Sequence, residues 1–596
     1  MLKNILKIVF RNFVRQKGYS FINISGLTVG LAISIILSFY VIDDLTYDRF
    51  HPNAKNIYRV LTVGGSRLAP SAITSGPLMV AIKEEVPEIT GSARFTYFGQ
   101  VPVSRPGENV DREDEDSQVR ARALVTDPGF FDVFSFKILS GNAEEALKDP
   151  SGILLTPEIA EAVFGEEDPL GKPVVVRGVN SAYVSGIVEA PPNNSHIQFG
   201  VIVPLRVEQN PVWWDSWENI NLCGYVSINE NANPLDVEQK IIDVGLKNNY
   251  AEVYSSRLQP LLDIHLGSSD FNYDFRNLGK NDSTVVYTLA AIGIMILLIA
   301  CINFINLSSA RASKRAREVG LRKVVGSRRW QLSAQFLCES LCFTLLSLLL
   351  ALILIQLSLP YLDTILGKHL DIDFIKSPLL IPVLTGFAII IGLLSGIYPS
   401  LILSGFKPIN VLKGEFQTSS SGVLFRRFLV VFQFAITIAL ILGVFIVYLQ
   451  IDYLKSIDMG YNRERILVIP NFVGNRDDVL KSRLNDYPGV LSMGRISSMP
   501  GATFPRYEII PEGFDRANSR MFQRFEIDEG IFNTLDISLS YGRSFSSVFA
   551  SDSADGVIIN ETAANYTGWS DPIGKSIQIV GLEGELITKR VVGVTR

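Results

Sequence analysis

The sequence predicts an α-helical integral membrane protein with five transmembrane helices and two extracytoplasmic α/β (α+β) domains, the second incomplete. Three observations carry that expectation: five long apolar runs, basic residues confined to alternate connections, and a pattern that occurs twice outside the runs. Of the 596 residues 47% are apolar, with a formal net charge of −5. That balance fits neither a wholly soluble chain nor a bundle throughout, so spans and folded soluble parts are both required. The basic residues gather beside the apolar runs, which sets topology and gives no support for nucleic-acid binding.

The spans fall at 19–42, 284–307, 332–359, 379–403 and 428–449. Each has about 20 residues or more, enough at about 1.5 Å per residue to cross roughly 30 Å of hydrocarbon. The first is an anchor and not a signal peptide. Its run is too long for an h-region, and Asp43-Asp44 stands where a small-residue cleavage site would be. Lys3, Lys7, Arg11, Arg15 and Lys17 put the N-terminus inside, with the basic connection 308–331 and the 404–427 connection (Lys407, Lys413, Arg426, Arg427). The 360–378 connection, with Asp363, Asp371 and Asp373, falls outside, and so do the large blocks 43–283 and 450–596. In residues 1–18, Leu2, Ile5, Leu6, Val9, Phe10 and Phe13 recur at helical spacing. They predict an amphipathic helix on the inner leaflet, its basic side toward anionic lipid headgroups.

The two outer blocks share a pattern. Asp127-Pro-Gly-Phe-Phe131 recurs as Asp528-Glu-Gly-Ile-Phe532, and the stretch from Gly152 to Ala160 as that from Gly556 to Ala564. Asp168-Pro-Leu-Gly-Lys172 recurs as Asp571-Pro-Ile-Gly-Lys575, and Val184-Ser-Gly-Ile187 as Val591-Val-Gly-Val594. Order and spacing persist, which marks a tandem duplication. Each unit reads as a short strand, a helix, an Asp-Pro-x-Gly turn and two β-rich runs, in the first copy at 152–155, 157–164, 173–176 and 182–188. The first copy runs on to 283 and into three spans, whereas the sequence stops at Arg596. The repeat therefore predicts about 95 further outer residues and three further spans, in a protein of roughly 800 residues. The alternative is a natural five-span variant with an unfinished second sheet.

Between the second and third spans, residues 310–330 hold eight basic residues against one acid, Glu318. Residues 313–325 are predicted as a short helix that Gly326 ends. No G-x-x-x-x-G-K-[ST] phosphate loop occurs. Gly574-Lys575-Ser576 comes nearest, but Trp569 stands where the first glycine is required. In span 1, Gly26, Gly30 and Ser34, continued by Ser38, form a stripe at four-residue steps, a packing face either within the chain or between subunits. Glu339 is expected to anchor the start of span 3 near the basic loop, and Asn303, Asn306 and Gln433 to bond between helices. The acidic run 111–116 lacks the ligand spacing of a calcium loop and reads as solvated. Trp213, Trp214 and Trp217 are expected in the core more than on a contact surface. Cys223, Cys301, Cys338 and Cys342 give no disulfide framework, and His51, His196, His265 and His369 show no metal-ligand spacing. No catalytic signature occurs, so no enzyme is expected.

Three places together resemble the MacB/FtsX-like permeases of ABC transporters. Arg317-Glu-Val-Gly-Leu-Arg-Lys-Val-Val-Gly326, followed by Gln335-Phe-Leu-Cys-Glu-Ser340, is similar to that family's R-E-[IV]-G-[LV]-R-K-x-x-G…Q-F-x-x-E-[SA] pattern. Ser395-Gly-Ile-Tyr-Pro-Ser-Leu401, continued from Phe406 to Lys413, resembles its end of span four. Tyr47-Asp-Arg-Phe-His and Ile57-Tyr-Arg59 resemble the opening of its periplasmic core domain. The resemblance implies a permease subunit of the mechanotransmission type in a bacterial inner membrane. A separate ATPase dimer would hold ATP and Mg, no cofactor would sit in this chain, and periplasmic domains would move to export or extract a drug, peptide or lipoprotein. A periplasmic adaptor or outer-membrane efflux protein would be a further partner. The coupling element would be Arg317, Glu318, Val319, Gly320, Leu321, Arg322, Lys323 and Gly326. Arginine would offer forked bonds to carboxylates, and Gly320 a close approach. The alternatives are a cell-division-type module that activates an envelope hydrolase, or a ligand-sensing partner of a histidine kinase.

Overall fold

A computed structural model describes residues 11, 17–64, 70–107, 119–142, 147–176, 179–206, 214–217, 219–248, 250, 254–271, 273–274, 277, 279–310, 319–366, 379–405, 420–469, 477–500, 506–581 and 585–596. Residues 1–10 and 12–16 of the expected interfacial helix, the acidic run 111–116, Trp213, His369 and most of the 360–378 and 404–427 connections lie outside the described residues.

Five helices are long and apolar enough to cross a membrane. They are span 1 (Lys17–Leu45), span 2 (Ser283–Ala310), span 3 (Arg329–Leu366), span 4 (Leu380–Gly405) and span 5 (Ser420–Ser456). Most run past the apolar stretches that predict them, because helical hydrogen bonding does not stop where hydrocarbon does. Leu31, Ala32 and Ile35 of span 1 pack with Leu348, Ala351 and Ile355 of span 3 and with Leu384 and Ala388 of span 4. Span 5 keeps most of its apolar surface exposed.

The first soluble unit sits between spans 1 and 2. Its strands are β1 (Ile57–Gly64), β2 (Thr74–Ser75), β3 (Ile89–Ser104), β4 (Arg120–Thr126), β5 (Ile138–Gly141), β6 (Gly152–Leu155), β7 (Pro173–Val176), β8 (Val179–Val188), β9 (Val201–Pro204), β10 (Ile220–Ile228) and β11 (Tyr254–Pro260). They form one sheet in the order β11-β1-β10-β3-β4-β9-β6-β8-β5, with β2 on β10 and β7 on β3 and β8. Strands β6 and β9 read as unbroken apolar runs because both are wholly buried, Ile153, Leu154, Leu155, Val201 and Ile202 among them. Phe95, Phe130, Phe134, Phe136 and Phe199 fill the larger core edge to face, stacked or tilted, each burial adding roughly 1.5–3 kcal/mol. Trp217 packs against this core, 6.4 Å from Tyr250.

The second unit follows span 5, with strands β12 (Arg506–Pro511), β13 (Arg520–Gln523), β14 (Leu539–Gly542), β15 (Gly556–Asn560), β16 (Ser576–Val580) and β17 (Leu586–Thr595). The repeated sequences take up repeated geometry. Strand β6 runs parallel to β8 and β15 parallel to β17, and both pairs slip register at the same step, so that Leu154 faces Gly186 and Ile558 faces Gly593. In both Asp-Pro-x-Gly turns the aspartate accepts the N–H two residues on, Leu170 or Ile573, at 3.1 Å. The turn glycine then donates to the neighbouring strand, Gly171 to Val184 at 2.7 Å and Gly574 to Val591 at 2.8 Å. Gly141 and Gly542 both have positive φ, and a Cβ on either would lie 2.3 or 2.4 Å from the facing carbonyl of Ser185 or Val592. Only glycine fits there.

His51 is buried among Phe50, Phe134 and Phe136. The Ser135 N–H donates to its Nδ1 at 3.2 Å, and its Nε2 has no partner among the described residues. Burial pulls its pKa down to about 4, with the Asp48 charge opposing and His196 reinforcing. The unfolded chain therefore takes up this proton first. Stability is unaffected above about pH 6.5 and falls as pH drops from there to about 4, by on the order of 3 kcal/mol. Denaturant titrations of the full chain in detergent at a series of pH values should show that loss, and His51→Phe should remove it.

Candidate functional site

Three assemblies of side chains stand where spans meet each other or meet the soluble parts. The first is the connection between spans 2 and 3. Residues 319–324 are helical, and Gly326, at φ +100°, turns the chain into span 3. Val319 is buried against Leu332 and Phe336, so this helix folds back on the start of span 3. The Arg322 guanidinium donates to Gln335 Oε1 at 2.5 Å, and Lys323 Nζ to the Ser404 carbonyl at 2.7 Å. That carbonyl belongs to the last turn of span 4, where unpaired carbonyls and the negative helix end attract a cation. Burial, with the neighbouring Arg329, pulls the Lys323 ammonium below its usual pKa.

Sequence reasoning expected Arg322 and Lys323 to face a partner; both bond within the chain. Among the described residues of the connection and the start of span 3, Leu321, Val324, Val325 and Trp330 are exposed, as are Arg328 and Arg329. The reason is local: residues 319–324 give less than two helical turns, and anchoring Val319 inward turns Leu321, Val324 and Val325 out. Gly320 is buried beside Val319. Arg317 and Glu318 lie outside the described residues.

The second assembly is the stripe on span 1. A Cβ on Gly30 would come 2.6 Å from the Ala300 Cβ of span 2, and one on Gly26 would touch Asn303 at 3.4 Å. Ser34 Oγ donates across the interface to the Gly293 carbonyl at 3.0 Å. Within this chain the stripe faces span 2. The other side of span 1 exchanges hydrogen bonds with span 3, Thr28 to the Ser347 carbonyl and Ser347 to the Ile24 carbonyl. Asn306 Nδ2 reaches Gln433 of span 5 at 3.5 Å, and Glu339 is buried in span 3.

The third assembly is one that sequence reasoning missed. At the outer end of span 1, Asp44 accepts from His265 Nε2 at 3.1 Å and from Asn281 Nδ2 at 2.9 Å, one bond to each oxygen. The His265 ring stacks on Tyr47 with centroids 3.5 Å apart. Asp48, at φ +57°, accepts from Ser195, from the His196 N–H and from His196 Nδ1. The other nitrogen of that ring lies 2.8 Å from the Tyr225 hydroxyl. Burial holds the Tyr225 pKa well above 10, so its hydroxyl keeps its proton and donates to His196 Nε2. Arg59 completes the network with bonds to Asp274, Gln259 and Ser268. Tyr47-Asp-Arg-Phe-His and Ile57-Tyr-Arg59 were the signal, since charged residues beside β-rich runs need partners when buried. Those partners lie about 150 to 220 positions away.

These features define a multi-span membrane protein with a large α/β unit between its first two spans and a basic connection clamped to the ends of spans 3 and 4. Residues 20–244 match the MacB-like periplasmic core domain, and residues 290–408 match the FtsX-like permease C-terminal family. The chain belongs to the MacB/FtsX-like permeases. It is 25% identical over 308 residues to the macrolide export ATP-binding/permease protein MacB of Pasteurella multocida, covering 50% of this chain and 44% of that protein. It is 22% identical over 319 residues to the uncharacterized ABC transporter permease YknZ of Bacillus subtilis, covering 52% of this chain and 75% of that protein. The matches thus span less than half the length of the first MacB relatives. The crystal structure of the periplasmic region of MacB from Actinobacillus actinomycetemcomitans aligns at 14% identity with a TM-score of 0.26, covering 35% of this chain and 90% of that one.

The close approach of Gly30 to Ala300 yields a rescue experiment. Gly30→Leu should destabilise the packing of spans 1 and 2 by about 1–3 kcal/mol, the usual penalty for overpacking. Ala300→Gly in the same chain should restore part of it. Thermal denaturation in detergent reads both.

Proposed function

We propose that this chain is the permease subunit of an ABC transporter of the mechanotransmission type. It would lie in a bacterial inner membrane with its N-terminus cytoplasmic and both soluble units periplasmic. ATP and Mg would be held by a dimer of a separate ATPase subunit, which docks on the connection between spans 2 and 3. The name of the MacB relatives puts ATP binding and permease on one chain; here no phosphate-loop motif occurs in the 596 residues. The cargo would be amphipathic, a drug, peptide or lipoprotein taken from the periplasmic side, and an adaptor or outer-membrane efflux protein would receive it.

One observation carries this reading. The exposed Leu321 and Val324, with Val325 just past them, stand on a helix anchored to two spans at once, through Val319 on Leu332 and Phe336 and through Lys323 on Ser404, and Trp330 is exposed at the start of span 3. A push on that patch therefore reaches spans 3 and 4 together. Arg322 and Lys323 would serve as internal struts, and Gly326 as the turn that sets the angle of the patch.

Leu321→Asp with Val325→Asp should reduce co-purification of the genetically adjacent ATPase at least about tenfold, since burying two unpaired carboxylates costs well over 1.4 kcal/mol. Lys323→Met should leave the ATPase bound but lower transport-coupled hydrolysis. If the double variant retains full ATPase binding, the docking surface lies elsewhere.

A further inference from the structure

The first soluble unit carries an open groove of about 610 Å³ beside β5. Phe131, Phe134, Phe136 and Ile138 give it apolar walls, and Ser135 and Asn142 a polar lining. Apolar walls with a few polar groups are what a small-ligand site needs. The groove lies near the membrane end of the unit. Phe50, whose ring is 5.7 Å from that of Phe136, is exposed only five residues past the end of span 1. The Glu189 N–H donates to the Lys137 carbonyl, and five residues further on Asn194 bonds Thr46, the first residue beyond span 1. Leu139, next to Ile138 on β5, is exposed as well.

His51 stands directly behind this wall. Its ring lies 5.5 Å from that of Phe134 and 5.2 Å from that of Phe136, and the Ser135 N–H donates to its Nδ1 at 3.2 Å. Three consecutive lining residues thus hold one imidazole. A ring nitrogen that accepts carries no proton, so this bond assigns the proton of the neutral ring to Nε2. That N–H is buried and meets no acceptor among the described residues. Phe136 stands perpendicular to the imidazole, and a ring face is at best a weak acceptor. A buried donor left in this state costs free energy that a carbonyl would recover. Burial also keeps the imidazole uncharged, its pKa pulled down to about 4. An uncharged acceptor suits it better than a carboxylate, whose charge would be buried unpaired.

We infer that this groove takes an acyl chain of a lipid from the adjoining leaflet, with the His51 Nε2–H donating to the ester carbonyl. The phenylalanine walls cover the methylenes, and burying them drives entry. The single donor reads the carbonyl, so an ester is preferred to an ether of the same chain. To reach that donor the carbonyl displaces the Phe136 ring. The inference names a cargo class for the proposed function and rests on that reading only for its membrane setting. ATPase co-purification and lipid binding are read separately, so either can fail alone.

Photo-labelling tests it on the full chain in lipid nanodiscs that hold a trace of phosphatidylcholine with a diazirine in its chain. Two such probes are compared, one ester-linked and one ether-linked. Labelled peptides are mapped by mass spectrometry, with the exposed apolar surface of span 5 as the reference for bilayer contact. The ester probe should label residues 131–142 about fivefold more than the ether probe, the usual worth of one hydrogen bond. Asn142→Trp, at an exposed position on the groove, should block it and abolish that labelling while span 5 is labelled as before. His51→Phe should bring the ester probe down to the level of the ether probe and leave the ether probe unchanged. Equal labelling of 131–142 by the two probes in the unsubstituted chain overturns the inference. So does the absence of labelling there, or labelling that survives Asn142→Trp. None of these three outcomes needs a change at His51, so misfolding of His51→Phe does not rescue the idea.

Discussion

A buried carboxylate at the membrane edge must have its hydrogen bonds met, and the arrangement around Asp44 follows from that requirement. Left unpaired there, the charge would cost several kcal/mol. His265 and Asn281 meet it, and to do so they must come from the segment that leads into span 2. The sheet is therefore closed on itself at the point where the chain returns to the membrane. Strand β11 pairs with β1 just above this point, and Arg59 with Asp274 seals the layer between them. Topology, register and membrane attachment are settled together by a few polar bonds in an apolar setting.

Below that joint the spans are organised by small residues. With no hydrophobic gain in bringing helices together inside lipid, close backbone approach and cross-helix hydrogen bonds decide which faces meet. Gly30 against Ala300 and Ser34 on the Gly293 carbonyl supply both. At the opposite ends of the spans, Val319 and Lys323 hold the connecting helix on spans 3 and 4. The described part of the connection is thus joined to the packed body of spans 1, 3 and 4.

Much of this was legible in the sequence because it depends on local periodicity. Runs of 20 or so apolar residues marked the five spans, and the recurring Asp-Pro-x-Gly turn announced a geometry that repeats down to individual backbone bonds. The small-residue stripe was visible too, though not which helix it received. What was not legible depends on distant partners. Arg322 and Lys323 looked outward because neither Gln335 nor the Ser404 carbonyl, 81 positions away, can be identified from charge pattern alone. Three histidines that looked scattered are brought to one end of the first unit, where His196 and His265 each meet an aspartate more than 140 positions distant.

The central claim is that the connection between spans 2 and 3 is where an ATPase pushes. Placing a photo-crosslinking amino acid at Leu321, Val324 or Val325 in living cells tests it most directly, with Leu235 on the first soluble unit as the exposed control. The account predicts an adduct at the three connection positions that contains an ATP-binding subunit, and none from Leu235. Adducts only to lipid at Leu321, Val324 and Val325 would contradict it.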